Sequence, residues 1–316
     1  MIVETSPGPL EFAAALGSAF TWGFASLLFA RILRRDGARA APTAAATNLF
    51  KNTLATLVFV AVFLVQGESL PAAAAWPWLL LSGVFGFAIG DTMYLAALPR
   101  CGVQVATMVS LVHVPTTTLL DWIFLGRSLS AITILWMFVV LLGVALVVTE
   151  KRPGEAHSLE RRRALRIGVV LTLCAATSQS VGVVLGHEGM SGASLMGGTL
   201  VRMCGGIFGA VVGAVLIGLA RTTVNSECSE LVRPMREHDT RRSLAFAALF
   251  GSVLGLPLFH FALRGLPSGI AAVLFATTPL FTLPLGFLFG ERHGARAWIG
   301  TLIGFGGVAG LVLSLA

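Results

Sequence analysis

Apolar residues run along this chain in long unbroken blocks, not in the one-face or alternating patterns of a soluble fold. Ten such blocks can be traced, over residues 10–31, 44–65, 76–98, 102–124, 131–149, 166–187, 195–219, 243–263, 268–289 and 295–316. Each is close to the roughly 17–25 residues an α-helix needs to cross the hydrocarbon of a bilayer. No period-2 alternation of the kind that forms a membrane barrel is present. The pattern predicts an all-α integral membrane protein with ten transmembrane helices.

Composition agrees. Of 316 residues, 56% are hydrophobic and 12% charged, and mean hydropathy is +0.86. A soluble domain carries about 25% charged residues, so this chain could not cover a water-facing surface. The first block comes after MIVETSPGPLE (1–11), which holds only acids, so it reads as a retained span and not a signal peptide. Cys101, Cys174, Cys204 and Cys228 form no C-x-x-C pair, so neither a disulfide framework, a metal site nor a cofactor is expected.

The net charge of +7 is distributed in blocks: RILRRDGAR (31–39), EKRPGEAHSLERRRALR (150–166) and RPMREHDTRRS (233–243). Alternate loops, beginning with the one after the first span, hold 18 of the 22 Lys and Arg residues. The other loops and both tails hold only Arg127 and Arg264. Basic loops stay in the cytoplasm, which accounts for the charge without nucleic acid and places both termini on the non-cytoplasmic side. The expected location is a bacterial inner membrane, with the lipid bilayer as partner.

Displacing the chain by 164 residues aligns its third to fifth spans with its eighth to tenth. Arg100 falls on Arg264, Pro115 on Pro279, Thr118-Leu119 on Thr282-Leu283, Gly126 on Gly290, and Gly143-Val144-Ala145 on Gly307-Val308-Ala309. Leu and Val would coincide in any apolar sequence; Pro, Gly and Arg would not. In the second and seventh spans LFKNTLA (49–55) resembles LVRMCGG (200–206), setting Lys51 opposite Arg202. Each half therefore holds five spans: residues 1–150, then a basic linker over 151–165, then residues 166–316. An odd number makes the second half enter the membrane from the opposite face. Such inverted repeats suit transporters, because two similar halves can exchange conformations around a central site.

Two five-helix repeats, each with a mid-helix proline and then a glycine at the helix end, resemble the EamA-type members of the drug/metabolite transporter superfamily. The stretches concerned are VPTTTLLDWIFLGRSLS (114–130), TPLFTLPLGFLFGERHG (278–294) and TWGFAS (21–26). The resemblance covers the whole chain. It implies ten helices, arranged as two inverted EamA-like repeats, around a central cavity lined by the early helices of each repeat. The fifth and tenth helices would lie outside it. The acid next to the glycine in the second repeat, Glu291, is replaced by Arg127 in the first.

Small residues at four-residue spacing let helices approach in lipid. Gly205, Gly209 and Gly213 do so in the seventh span, and Gly300, Gly304, Gly306 and Gly310 in the tenth. Packing within the monomer is the plainer use of the tenth helix, and a homodimer seam the sharper one.

Against this background, polar residues inside spans carry the functional signal. An aspartate at mid-helix costs about 2.5–3.5 kcal/mol to insert, yet GFAIGDTMYLAAL (86–98) places Asp91 there, with Tyr94 one turn on. Asp91 should face a cavity, bind a cationic group or exchange a proton. Lys51 and Arg202 lie near helix ends, where snorkelling to the interface explains them and a substrate acid is the rival use. Asn48 and Asn52 flank Lys51 on an inward stripe. His113 and His260 are read as cavity or packing residues, and Gln179, within TSQS (177–180), as a substrate contact. Trp22 and Phe275 supply aromatic walls.

The function these features predict is secondary transport of a small organic metabolite by alternating access, expected as export, with proton coupling through Asp91. The first substrate expected is an amine-bearing, amino-acid-like solute. No P-loop is present to supply ATP. The alternatives are transport of an amphiphilic cation or nucleotide-linked sugar, a membrane-embedded enzyme acting on a lipid-linked substrate, and a non-transporting scaffold. An enzyme needs convergent catalytic groups, and none are found in the sequence.

Overall fold

In a computed structural model of the protein, residues 9–34, 43–125, 130–150, 159–190, 192–222, 238–265, 274–291 and 293–314 are described. They form ten helices and no strand. In order these are α1 (Pro9–Leu33), α2 (Ala44–Gln66), α3 (Ala73–Cys101), α4 (Val103–Phe124), α5 (Ala131–Val148), α6 (Leu159–Met190), α7 (Leu195–Thr222), α8 (238–265), α9 (Thr278–Leu288) and α10 (Ala295–Leu313). Nine of them are long and apolar enough to span a bilayer, and α9 is the shorter one among the described residues.

Local chemistry sets the boundaries. The Thr43 hydroxyl accepts from the Ala46 amide to cap α2, which ends at Gly67 with φ of +64°. Pro99 lies in the last turn of α3, and Gly102, at φ +84°, separates α3 from α4. A side chain is strained at such a φ, so glycine divides two spans that hydropathy alone nearly fuses. Within α4, Pro115 has no amide to give the carbonyl of Leu111, and the helix is interrupted by a turn at Leu111–Val112.

The bundle is apolar outside and keeps its polar side chains among the buried residues. Val65, Phe138, Phe208 and Leu288 are exposed, whereas Asn48, Asn52, Gln104 and Thr282 are buried. That ordering suits lipid, which rewards outward Leu and Phe as readily as a protein core would.

Several of the helix pairings are exchange-symmetric. α3 packs on α6 and α7, as α8 packs on α1 and α2. α4 packs on α6, as α9 packs on α1. The pairs α2–α7, α4–α9 and α5–α10 each map onto themselves. A π-helical turn also recurs, at Val84–Gly90 in α3 and Leu249–Leu254 in α8. The 164-residue register carries the first onto 248–254, so even this irregularity belongs to the repeat.

Glycine sets how closely the halves approach. A Cβ on Gly83 would collide with the Arg202 backbone carbonyl of α7, and one on Gly143 with the α10 backbone at Gly304. Gly300, Gly307 and Gly310 face α5 of the same chain, Gly304 faces Met108 of α4, and Gly306 meets open space. Gly83→Val should therefore cost about 1–3 kcal/mol through overpacking, lowering the melting temperature of the detergent-solubilised protein by several degrees. Gly306→Val in the same thermal assay should leave it unchanged. Equal effects at the two positions would contradict this packing.

Candidate functional site

The α3 π-turn sets up the site. A π-turn accommodates one extra residue, which rotates the next turn of helix by roughly 100° and leaves backbone carbonyls without their usual helical partners. Those carbonyls are met from neighbouring helices. Asn48 Nδ2 donates to Phe87 O at 2.7 Å and to Thr92 Oγ1 at 2.9 Å, Asn52 Nδ2 donates to Phe87 O at 3.2 Å, and Ser178 Oγ donates to Phe85 O at 2.7 Å. Asp91 comes directly after the turn, held by α2 on one side and α6 on the other.

Asp91 faces inward and is already paired. Lys51 Nζ lies 2.6 Å from its Oδ2, with side-chain exposures of 3% and 7%. Gln179 Nε2 donates to the other oxygen at 3.2 Å. Lys51 does not snorkel to the interface as its distance from the helix end led us to expect. An ammonium and a carboxylate in contact inside the bundle satisfy each other more cheaply than either could alone.

Around this pair lies a cavity of about 280 Å³, lined from α1 to α4 and α6 to α8, with Phe275 just before α9. α5 and α10 contribute nothing to its lining. Trp22 stacks on Tyr94 with centroids 5.9 Å apart, and the Tyr94 hydroxyl lies 3.1 Å from Ser26 Oγ. His113 sits just after the α4 interruption. Its Nδ1 is 2.8 Å from the Ser110 carbonyl, an acceptor, so Nδ1 is the protonated nitrogen. Ser180 Oγ donates to the His113 carbonyl at 3.0 Å. Arg202 enters from α7 with its guanidinium carbon 5.2 Å from the centre of the Phe87 ring.

The cavity thus gathers Trp22, Lys51, Asp91, Tyr94, His113, Gln179, Arg202 and Phe275. Asn48 is not on its wall; the residue is buried and spent on the α3 backbone. The side chain of His260 lies outside the described residues, as does Arg127. Sequence reasoning passed over the cavity residues Ser18, Phe87, Ser110, Ser252 and Phe259. Serines and phenylalanines are common in any membrane helix, so nothing marked these in advance. Among the described residues no three His, Cys, Asp or Glu side chains are placed to hold a metal.

Three likenesses to known proteins accompany this geometry. The family model of the EamA-like transporter family matches residues 10–149 and 166–313. A 45-residue stretch is 49% identical to the Uncharacterized inner membrane transporter YedA of Escherichia coli K12, with the same match in two further Escherichia coli strains. That stretch is 14% of this chain and spans 15% of that relative's length. A solved crystal structure of a protein, 17% identical, aligns over 94% of this chain and 96% of its own with a TM-score of 0.57, which shows the same fold.

Because Lys51 and Asp91 are buried together, removing one leaves the other uncompensated at a cost of about 3–5 kcal/mol. Lys51→Met and Asp91→Asn should each destabilise the purified protein strongly. The double variant should be more stable than either single one in the same thermal melts. A double variant that loses the sum of both single effects would show the pair to be uncoupled.

Proposed function

The chain belongs to the EamA-like transporter family, and from that premise we propose that it carries a small organic solute across a bacterial inner membrane by alternating access. The observation that carries this reading is the position of the cavity. It lies between two halves, several of whose packing pairs exchange, and is lined by both. Exchange of conformations between such halves would open the same cavity to opposite faces. The family supports a transporter over an enzyme, and inner membrane is the location named for the Escherichia coli relative. The basic loops favour termini on the non-cytoplasmic side.

Proton coupling is part of the proposal. A proton on Asp91 would remove the charge that holds Lys51 and free both side chains, so loading of the site and breaking of the pair become linked events. Any amine-bearing solute would first have to displace Lys51 from Asp91.

The test uses full-length protein in liposomes with an imposed pH gradient, exposed to a pool of small metabolites and analysed by mass spectrometry. Protein-containing vesicles should accumulate an unchanged solute that empty vesicles do not. Ser252→Trp, which fills the cavity, should cut that uptake about tenfold or more in a variant that remains monodisperse. Asp91→Asn combined with Lys51→Met, which leaves no uncompensated charge, should abolish the dependence on the gradient in protein that remains monodisperse. Chemical conversion of the solute would instead support the enzyme alternative. For orientation, alkaline phosphatase fused to the C-terminus should be active and a fluorescent-protein fusion dark; the reverse pattern would place that terminus in the cytoplasm.

A further inference from the structure

We infer that Arg202 is the anchor for a carboxylate, and that the solute of this cavity is a small organic monoanion with an apolar body. The inference rests on the transport reading above and adds to it the chemical class of the solute.

Three observations carry it. First, among the described residues the charged side chains lining the cavity are Lys51, Asp91 and Arg202. Lys51 and Asp91 cancel each other at 2.6 Å, and Gln179 occupies the second oxygen of Asp91. Setting aside His113, whose Nδ1–H is spent on the Ser110 carbonyl, one positive charge is left over, and it belongs to Arg202. Second, Arg202 has neither an acidic partner nor a hydrogen bond among the described residues, and its buried Nε meets no acceptor. The guanidinium lies against the face of Phe87, and a Cβ on Gly186 of α6 would stand 3.3 Å from its central carbon. Stacking satisfies one face of the group and leaves its fork of N–H donors without protein acceptors. Third, the repeat shows why no acid is there. Lys51 corresponds to Arg202, but the register that aligns the halves sets Gly255 opposite Asp91. Gly255 is itself on the cavity wall. The second half keeps the base and lacks the acid.

Charge magnitude selects among oxyanions. A phosphate monoester carries about −1.5 to −2 charges near neutral pH, more than one guanidinium can balance in a low-dielectric site. A carboxylate carries one, and guanidinium matches its two oxygens in a bidentate fork. Phe87, Phe259 and Phe275 with Trp22 then take the apolar remainder.

The experiment uses purified full-length protein and four matched probes: 3-phenylpropionate, 3-phenylpropylamine, 3-phenylpropanol and phenyl phosphate. Binding is read from thermal shift against concentration. The carboxylate should stabilise the wild type, and the amine and alcohol should not. Arg202→Gln should weaken carboxylate binding about tenfold to a hundredfold, the worth of a charge-assisted hydrogen bond. Arg202→Lys, which keeps the charge but loses the fork, should weaken it about tenfold and decides the matter if Arg202→Gln fails to fold. Silence of the carboxylate at millimolar concentration, tighter binding of phenyl phosphate or the amine, or carboxylate affinity unchanged in both variants would overturn the inference. Transport is scored separately in liposomes. Arg202-dependent binding without uptake would sink the transport reading and leave this site standing. Uptake of the amine that survives Arg202→Lys would do the opposite.

Discussion

Two opposite charges within the hydrocarbon layer of a membrane are kept most cheaply in each other's company. Each would cost about 2.5–3.5 kcal/mol to insert alone, so the Lys51–Asp91 contact at 2.6 Å fixes how α2 must face α3. It also requires α3 to present Asp91 inward, which the π-turn at Val84–Gly90 accomplishes. The amides of Asn48 and Asn52 are then committed to the carbonyls that turn releases. Ion pair, π-turn and asparagine stripe form one unit, and the cavity is what remains on its open side.

The second half repeats the backbone device without the chemistry. Its π-turn at Leu249–Leu254 leads into Gly255, whose carbonyl accepts from Ser18 of α1 at 2.8 Å. In the first half Ser178 of α6 serves the Phe85 carbonyl in a comparable way. Symmetry is therefore kept where it governs helix packing and given up where it governs charge. A cavity on a pseudo-two-fold arrangement would otherwise present two like environments, and one asymmetric solute needs two unlike ends.

Much of this was readable in the sequence. The register of 164 rests on Pro, Gly and Arg, residues whose positions matter to a helix in lipid, and the pairings of α3 with α6 and α8 with α1 obey the same exchange. Asp91 stood out because hydropathy makes a lone acid conspicuous. Its partner did not, because Lys51 lies near enough to its helix end for snorkelling to explain it equally well. Choosing between those readings depends on where Asp91 points, and that depends on a π-turn. Such a turn leaves little trace beyond Gly86 and Gly90, which also suit close packing. Gln104 was silent for a related reason. Its amide donates to Thr301 at 2.8 Å and accepts from Thr282 at 2.6 Å, joining α4 to α9 and α10. A buried amide network is visible only once its three helices are assembled.

The same distinction between buried and exposed charge bears on how the halves could move. The cavity wall reaches Trp22 in α1 and Tyr94 in α3 and goes no further toward the ends of those helices. Beyond it, Arg34 at the end of α1 donates to the Leu98 carbonyl at 3.3 Å and pairs with Glu291 at 3.4 Å. Gly290 makes that pair geometrically available. Its φ of +79° closes α9 with a Glu291 amide bond to Gly286 O at 2.8 Å, turning the acid back toward α1. Arg34 is 39% exposed and Glu291 9%, so this contact is longer and more solvated than the Lys51–Asp91 pair. Breaking the Lys51–Asp91 pair would cost more. Under the transport reading, opening at this end parts the more exposed contact, while the buried pair is released only on loading. The apparatus that shapes the cavity can then stay assembled while access to it changes.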